Sequence, residues 1–126
     1  MPQLLYAEDD DDFRATTSMS MELYFKKHHI DVNIDETNNG EQLLSMAISG
    51  NYDLIITDNT MPKMTGLEAI KKIRETNISI PIYMLAGGEE TTRQTALDLG
   101  ADGYIEKDEY YWEQIEEVLN KHFTKS

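Results

Sequence analysis

The sequence predicts an α/β fold of five strand–helix units around a parallel sheet, and three observations predict it. Short apolar runs alternate with stretches whose apolar residues recur at helical spacing. Glycine, proline or asparagine clusters separate them. Charged residues stand at the ends of three runs: Glu8-Asp9-Asp10 after Leu4–Ala7, Asp58 after Leu54–Thr57, and Lys107 after Gly103–Glu106. Strict alternation of this kind implies a doubly wound sheet with helices on both faces and right-handed crossovers.

Taken in order, Leu4–Ala7 reads as the first strand. Phe13, Thr17, Met21 and Tyr24 then recur on one helical face. Ile30, Val32 and Ile34 alternate, which places a second strand over 30–35. Asn38-Asn39-Gly40 is turn chemistry, and Leu43, Leu44, Ala47 and Ile48 form a helical face closed by Gly50. Leu54–Thr57 is a buried third strand. Met61-Pro62 breaks the backbone, and Gly66 opens a helix carrying Ala69, Ile70 and Ile73. Ile82–Leu85 follows Pro81 as the fourth strand. The Gly87-Gly88 loop leads to a short helix with Ala96 and Leu99, ended by Gly100. Gly103–Glu106 is the fifth strand. Trp112, Ile115, Leu119 and Phe123 mark a last amphipathic helix.

A chain of 126 residues is expected to form a single domain, 1–126, with a tail at Thr124–Ser126 too short to tether anything. Acidic residues outnumber basic ones 24 to 11, giving a formal charge of −13. Direct nucleic-acid binding needs basic surface, and so does binding to an anionic membrane, so neither is expected. The chain has no cysteine, which removes disulfides, thiolate chemistry and zinc ribbons. It shows no signal-peptide pattern and no run of membrane-spanning length. A cytoplasmic location is the expectation.

In an open parallel sheet the carboxyl ends of the strands share one edge, where ligands bind. Glu8, Asp9, Asp58 and Lys107 should therefore meet. Clustered carboxylates suit a hard cation such as Mg²⁺, and a lysine beside them suits a phosphate-sized anion. Each residue alone has a plainer reading. Acidic runs are usually solvated, and Asp10, Asp11 and Asp12 are read that way, at a helix N-terminus. His28 and His29 are expected to serve a helix end. Tyr110-Tyr111-Trp112 is expected to pack. Met19, Met21, Met61 and Met64 are expected to fill core or rim.

Joint spacing carries more than any single residue. The interval from Asp9 to Asp58 equals that from Asp58 to Lys107. With Glu8-Asp9, Asp58-Asn59-Thr60-Met61-Pro62, Gly66 and Lys107, the chain resembles the receiver domain of two-component response regulators from Leu4 to Phe123. The resemblance implies a flavodoxin-like (βα)5 fold with strand order 2-1-3-4-5. It implies that Asp58 accepts a phosphoryl group from a sensor histidine kinase or a histidine phosphotransfer protein. It implies Mg²⁺ held by Asp9, Asp58 and the Thr60 backbone carbonyl, with Glu8 acting through a water. Lys107 would contact first the Asp58 carboxylate, then the phosphoryl oxygens. The implied module catalyses only its own phosphorylation and dephosphorylation. Its implied docking face for a downstream protein is the fourth helix, fifth strand and fifth helix, around Thr92, Tyr104 and Trp112.

Two positions depart from the family pattern. Ala86 stands where the family has a Ser or Thr hydroxyl that bonds a phosphoryl oxygen. Tyr104 matches the aromatic switch that normally follows that hydroxyl, so the output switch is expected to be atypical. Asp108 stands where proline usually follows the lysine. The flexible Gly87-Gly88 backbone is the expected substitute contact, with Gly87 meeting the phosphate through N–H groups. The alternative reading is a pseudo-receiver that binds partners without phosphorylation. An aspartyl-phosphate phosphatase would carry its nucleophilic Asp at the end of the first strand, commonly with a second Asp two residues on, whereas here Asp58 ends the third strand and Thr60 follows at that spacing. A flavin protein would carry a hydroxyl- and glycine-rich loop after the first strand, where this chain has acids.

Overall fold

The computed structural model describes residues 1–123. Its elements are β1 (Gln3–Ala7), α1 (Asp11–Lys27), β2 (Asn33–Thr37), α2 (Gly40–Ser49), β3 (Leu54–Thr57), α3 (Gly66–Glu75), β4 (Ile82–Ala86), α4 (Glu90–Leu99), β5 (Gly103–Glu106) and α5 (Tyr111–Phe123). The tail expected to tether nothing, Thr124–Ser126, lies outside the described residues. The strands form one sheet in the order β2-β1-β3-β4-β5, and every neighbouring pair is parallel.

Period-two alternation divides each strand between two cores. Leu5, Ala7, Ile55, Ile82 and Met84 face α2, α3 and α4, where Leu43, Ala69, Ile70, Ile73 and Ala96 pack. Leu4, Tyr6, Leu54, Ile56, Tyr83 and Leu85 face α1 and α5, against Met21, Phe25, Ile115 and Leu119. Right-handed crossovers on opposite sides of β1 produce this split. Fully burying one such aliphatic side chain is worth about 1.5–3 kcal/mol. Truncating Ile56, in the sheet's middle strand, to alanine would cost about 2–5 kcal/mol.

The second strand lies further along than the alternation over 30–35 suggested. α1 ends at His28, whose N–H bonds the carbonyls of Lys26 and Tyr24, and His29 takes a left-handed φ of 57°. Ile30 then closes on the Phe25 carbonyl at 2.9 Å. Ile30 and Val32 pack on the α1–α5 core as connector, and pairing begins at Asn33, opposite Gln3. β2 is an edge strand, half-exposed and polar, so its hydrophobic pattern is a weak guide to its bounds. Met21 and Met61 are buried and Met64 is partly so, but Met19 is 62% exposed, contrary to its expected role as filler.

Two close approaches set the site's loops. Gly66 opens α3 directly beneath β3: its N–H bonds the Asn59 carbonyl at 2.8 Å, and a Cβ there would lie 2.1 Å from the Asp58 carbonyl oxygen. Any side chain at 66 would push the loop after Asp58 out of place. At Gly40 a Cβ would lie 2.0 Å from the Met64 carbonyl oxygen, so the same loop is clamped from α2.

Candidate functional site

The carboxyl ends of β1, β3 and β5 bring the expected charges together. Glu8, Asp9 and Asp58 each present a carboxylate oxygen, and these lie within 4.8 Å of one another. Glu8 is fully buried, Asp58 is 6% exposed and Asp9 is open to solvent. The Glu8 Oε2 accepts the Asp10 N–H at 3.1 Å, and its Oε1 lies 2.8 Å from Lys107 Nζ. Lys107 Nζ is 3.4 Å from Asp58 Oδ1, so its nearer partner is Glu8. Asn59 N–H donates to Asp58 Oδ1 at 2.8 Å. Asp10 caps α1 through Phe13 N–H at 3.0 Å, in keeping with a structural role for the rest of the acidic run.

Burial pushes the Asp58 carboxyl up to about 7, and the Glu8 charge adds to the rise. The Lys107 charge and the Asn59 N–H oppose it without cancelling it. Burial also works to lower the Lys107 ammonium, but the Glu8 hydrogen bond and the nearby carboxylates outweigh that and hold it above its usual value. The site is thus short of positive charge. An all-oxygen donor set of two buried carboxylates and one exposed one fits a hard divalent cation.

On the β4 side, a hollow of about 190 Å³ opens beside Asp58 and Thr60, walled by Ala86, Gly87, Glu89 and Thr92. Nothing lies within 4 Å of where a Gly87 Cβ would be, so the loop leaves this space free. The Tyr104 ring is 8% exposed, among the core residues of the α2–α4 face, and its hydroxyl donates to the Gly87 carbonyl. Ala86 offers no hydroxyl; its carbonyl accepts the Lys107 N–H at 2.9 Å. Trp112 lies away from this edge. It lines a hollow between α1 and α5 with Leu23, Tyr24, Lys27 and Glu116, so it marks the α1 side of α5.

Sequence reasoning missed two contributors. Arg14 donates to the Glu8 carbonyl at 2.8 Å, pairs with Asp11 at 2.9 Å, and reaches Glu36 on β2 at 3.2 Å. Its spacing from Asp11 was the one available signal. The Phe13 ring sits 4.7 Å from Lys107 Nζ and 5.0 Å from the Tyr111 ring. Phe13 read only as a core position, so nothing in the sequence linked it to Lys107.

Comparison with known proteins agrees with this geometry. The response regulator receiver domain family matches residues 4–120. The transcriptional regulatory protein ResD of Bacillus subtilis is 39% identical over 74 residues, which are 59% of this chain and 31% of that protein. SrrA of Staphylococcus aureus, also a transcriptional regulatory protein, is 31% identical over 105 residues, 83% of this chain and 41% of SrrA. The chain therefore matches less than half the length of these relatives. Among solved structures, the Thermotoga maritima response regulator TrrA in complex with Mg²⁺ and BeF is 30% identical with a TM-score of 0.78, covering 94% of this chain and 96% of that one. Chemotaxis protein CheY4 of Vibrio cholerae is 25% identical with a TM-score of 0.80, covering 98% and 99%. With the fold, the strand order and the carboxylate–lysine edge all in agreement, the chain belongs to the response regulator receiver domain family, the phosphoacceptor modules of two-component signalling.

Proposed function

We propose that Asp58 is the phosphoacceptor of this receiver and that its donor is a phosphohistidine on a sensor histidine kinase or a phosphotransfer protein. The observation that carries the reading is the convergence of Glu8, Asp9 and Asp58 within 4.8 Å, with Lys107 reaching two of them. A retired site has no physical need to hold like charges together in a buried place.

An Asp58 carboxylate oxygen attacks phosphorus. The P–O bond forms as the P–N bond breaks, and its electron pair stays on the imidazole, which leaves neutral when its other nitrogen carries a proton. Attack by water later breaks the acyl phosphate and restores the carboxylate. Such transfer needs positioning and neutralised charge more than covalent help. Asn59 N–H fixes the rotamer of Asp58, and Lys107 is placed to follow the negative charge from Asp58 to the phosphoryl oxygens. Asp9, Asp58 and the Thr60 backbone carbonyl would hold Mg²⁺ directly, with Glu8 acting through water. A bound Mg²⁺ supplies charge neutralisation on the phosphoryl oxygens. The Gly87 backbone is a further contact for them.

The chain catalyses no reaction beyond this one. It acts in the cytoplasm on a downstream protein, through the face of α4, β5 and α5. Residues 1–126 are read as a single receiver domain. Acetyl phosphate with Mg²⁺ should add one phosphate by intact mass, and Asp58→Asn should abolish the addition. One observation favours the rival pseudo-receiver: Tyr104 already lies buried, with its hydroxyl on the Gly87 carbonyl. Absence of labelling from both small donor and kinase would decide for that rival.

A further inference from the structure

We infer that the Thr92 hydroxyl takes the place of the hydroxyl that Ala86 lacks, as the group that bonds the phosphoryl on Asp58 and ties it to α4. This inference rests on the reading of Asp58 as phosphoacceptor.

Three observations carry it. First, Thr92 and Asp58 wall the same hollow of about 190 Å³, together with Ala86 and Gly87. A phosphoryl group built on Asp58 enters that space, and the strand residue facing it is a methyl group. Second, the Thr92 hydroxyl has no hydrogen-bond partner among the described residues, although the residue is half-buried. Thr95, deeper in the same helix, turns its hydroxyl back on the Thr91 carbonyl at 2.8 Å. Thr92 is the third residue of α4, so the carbonyl four before it belongs to Gly88 in the loop, outside the helix. The hydroxyl of this half-buried residue is available to water or to a ligand in the hollow. Third, the connection from β4 to α4 is only Gly87, Gly88 and Glu89, with no Cβ on two of them. Such a connection lets α4 move toward Asp58 at little steric cost.

Thr60 is the other hydroxyl on this wall, but it stands on Asp58's own loop and cannot link that loop to α4. Thr92 stands on the first turn of α4 and can. Tyr104 then plays a different part. Its hydroxyl holds the Gly87 carbonyl, so it steadies the hinge about which Thr92 swings rather than following a strand hydroxyl inward.

The test is a titration with beryllium fluoride in excess Mg²⁺, followed by amide shifts of residues 90–99, alongside acetyl phosphate labelling by intact mass. In the wild type, labelling occurs and the α4 amides shift. Thr92→Val keeps the shape and loses the donor. It should weaken beryllium fluoride about tenfold or more, the loss expected for one hydrogen bond to a charged group, and should flatten the α4 shifts. Thr92→Ser should retain both, and Ala86→Thr added to Thr92→Val should restore the affinity. Thr92→Ala serves if the valine variant does not fold. Wild-type affinity and wild-type α4 shifts in Thr92→Val would overturn the inference and leave Asp58 as phosphoacceptor. Failure of the wild type to label would overturn that reading and this one together.

Discussion

Lys107 and Glu8 form the tightest charge contact of the site, with Nζ 2.8 Å from Oε1, inside the 3.4 Å that separates the same ammonium from Asp58. Glu8 has no exposure to water, so its charge has to be met within the protein. Lys107 is therefore shared, and Phe13 beneath it at 4.7 Å holds it over the cleft. The carboxylate that takes the phosphoryl group is the less well compensated of the two.

Removing the Glu8 charge should release Lys107 to Asp58. In Glu8→Gln the Asp58 carboxyl should fall from about 7 by roughly one unit or more, since one repulsion is lost and one attraction strengthened. A carboxyl-carbon NMR titration of Asp58 in both proteins reads this directly. A value unchanged in Glu8→Gln would mean that burial alone sets it.

The same shift has a sign for stability. The Asp58 carboxyl titrates near 3.8 ordinarily and near 7 in the fold. The folded state binds the proton more tightly, so this group favours folding most below the lower value. That contribution disappears as pH rises through the upper one. The difference is worth on the order of 4 kcal/mol. Asp58→Asn should then melt roughly 5–15 °C higher than the wild type at pH 8 without Mg²⁺. The gap should close toward pH 4. Equal melting temperatures at pH 8 would contradict the placement of a strained carboxylate here.

Mg²⁺ should act on that same deficit. Addition to the wild type at pH 8 should raise the melting temperature, because a ligand of the native state stabilises it by mass action. Asp9→Asn should remove most of the rise, since Asp9 is the one exposed carboxylate of the set. Amide shifts are the better probe of binding, because Trp112 sits in the α1–α5 hollow, away from the site. An undiminished response in Asp9→Asn would place the cation elsewhere.

Arg14 should matter more than its surface position suggests. It fastens the Glu8 carbonyl, Asp11 and the edge strand through Glu36, with its own side chain 20% exposed. Arg14→Ala should cost about 1–2 kcal/mol in urea denaturation and weaken Mg²⁺ binding, with Arg14→Lys in between because a lysine cannot span three acceptors. A loss below about 0.5 kcal/mol would put Arg14 among ordinary surface ion pairs.

Legibility in the sequence followed burial. Strands β1, β3 and β4 are buried almost throughout and β5 at its two central residues, and their apolar runs marked them to within a residue or two. Strand β2 is polar and at the edge, and its bounds were misplaced. The meeting of Glu8, Asp9, Asp58 and Lys107 followed from strand order and spacing. How Lys107 divides itself between two carboxylates depends on side-chain conformation, which spacing does not encode. Arg14 and Phe13 were missed for the same reason. Trp112 was assigned to the core-facing stripe, which it partly joins, but its partners on α1 become visible only when α1 and α5 are set side by side.

Tyr104 should move little on phosphorylation. In a two-state switch, phosphorylation must add a contact made in only one state. Here the ring is already buried and its hydroxyl already engaged on Gly87. Beryllium fluoride with Mg²⁺ should therefore leave the Tyr104 ring shifts nearly unchanged. Tyr104→Phe removes the bond to Gly87 and should speed hydrogen exchange at residues 87–89. Ala86→Thr introduces a hydroxyl beside Asp58, and with it a contact specific to the phosphorylated state. A charged hydrogen bond of that kind is worth roughly 1.5–3 kcal/mol, comparable to a typical allosteric coupling of about 1–3 kcal/mol. In Ala86→Thr the shifts on α4 and β5 induced by beryllium fluoride should therefore grow. If the wild-type ring instead moves from an exposed to a buried position on adding the mimic, and Ala86→Thr adds nothing, then the resting burial of Tyr104 is not its resting state in solution, and the switch works without the strand hydroxyl.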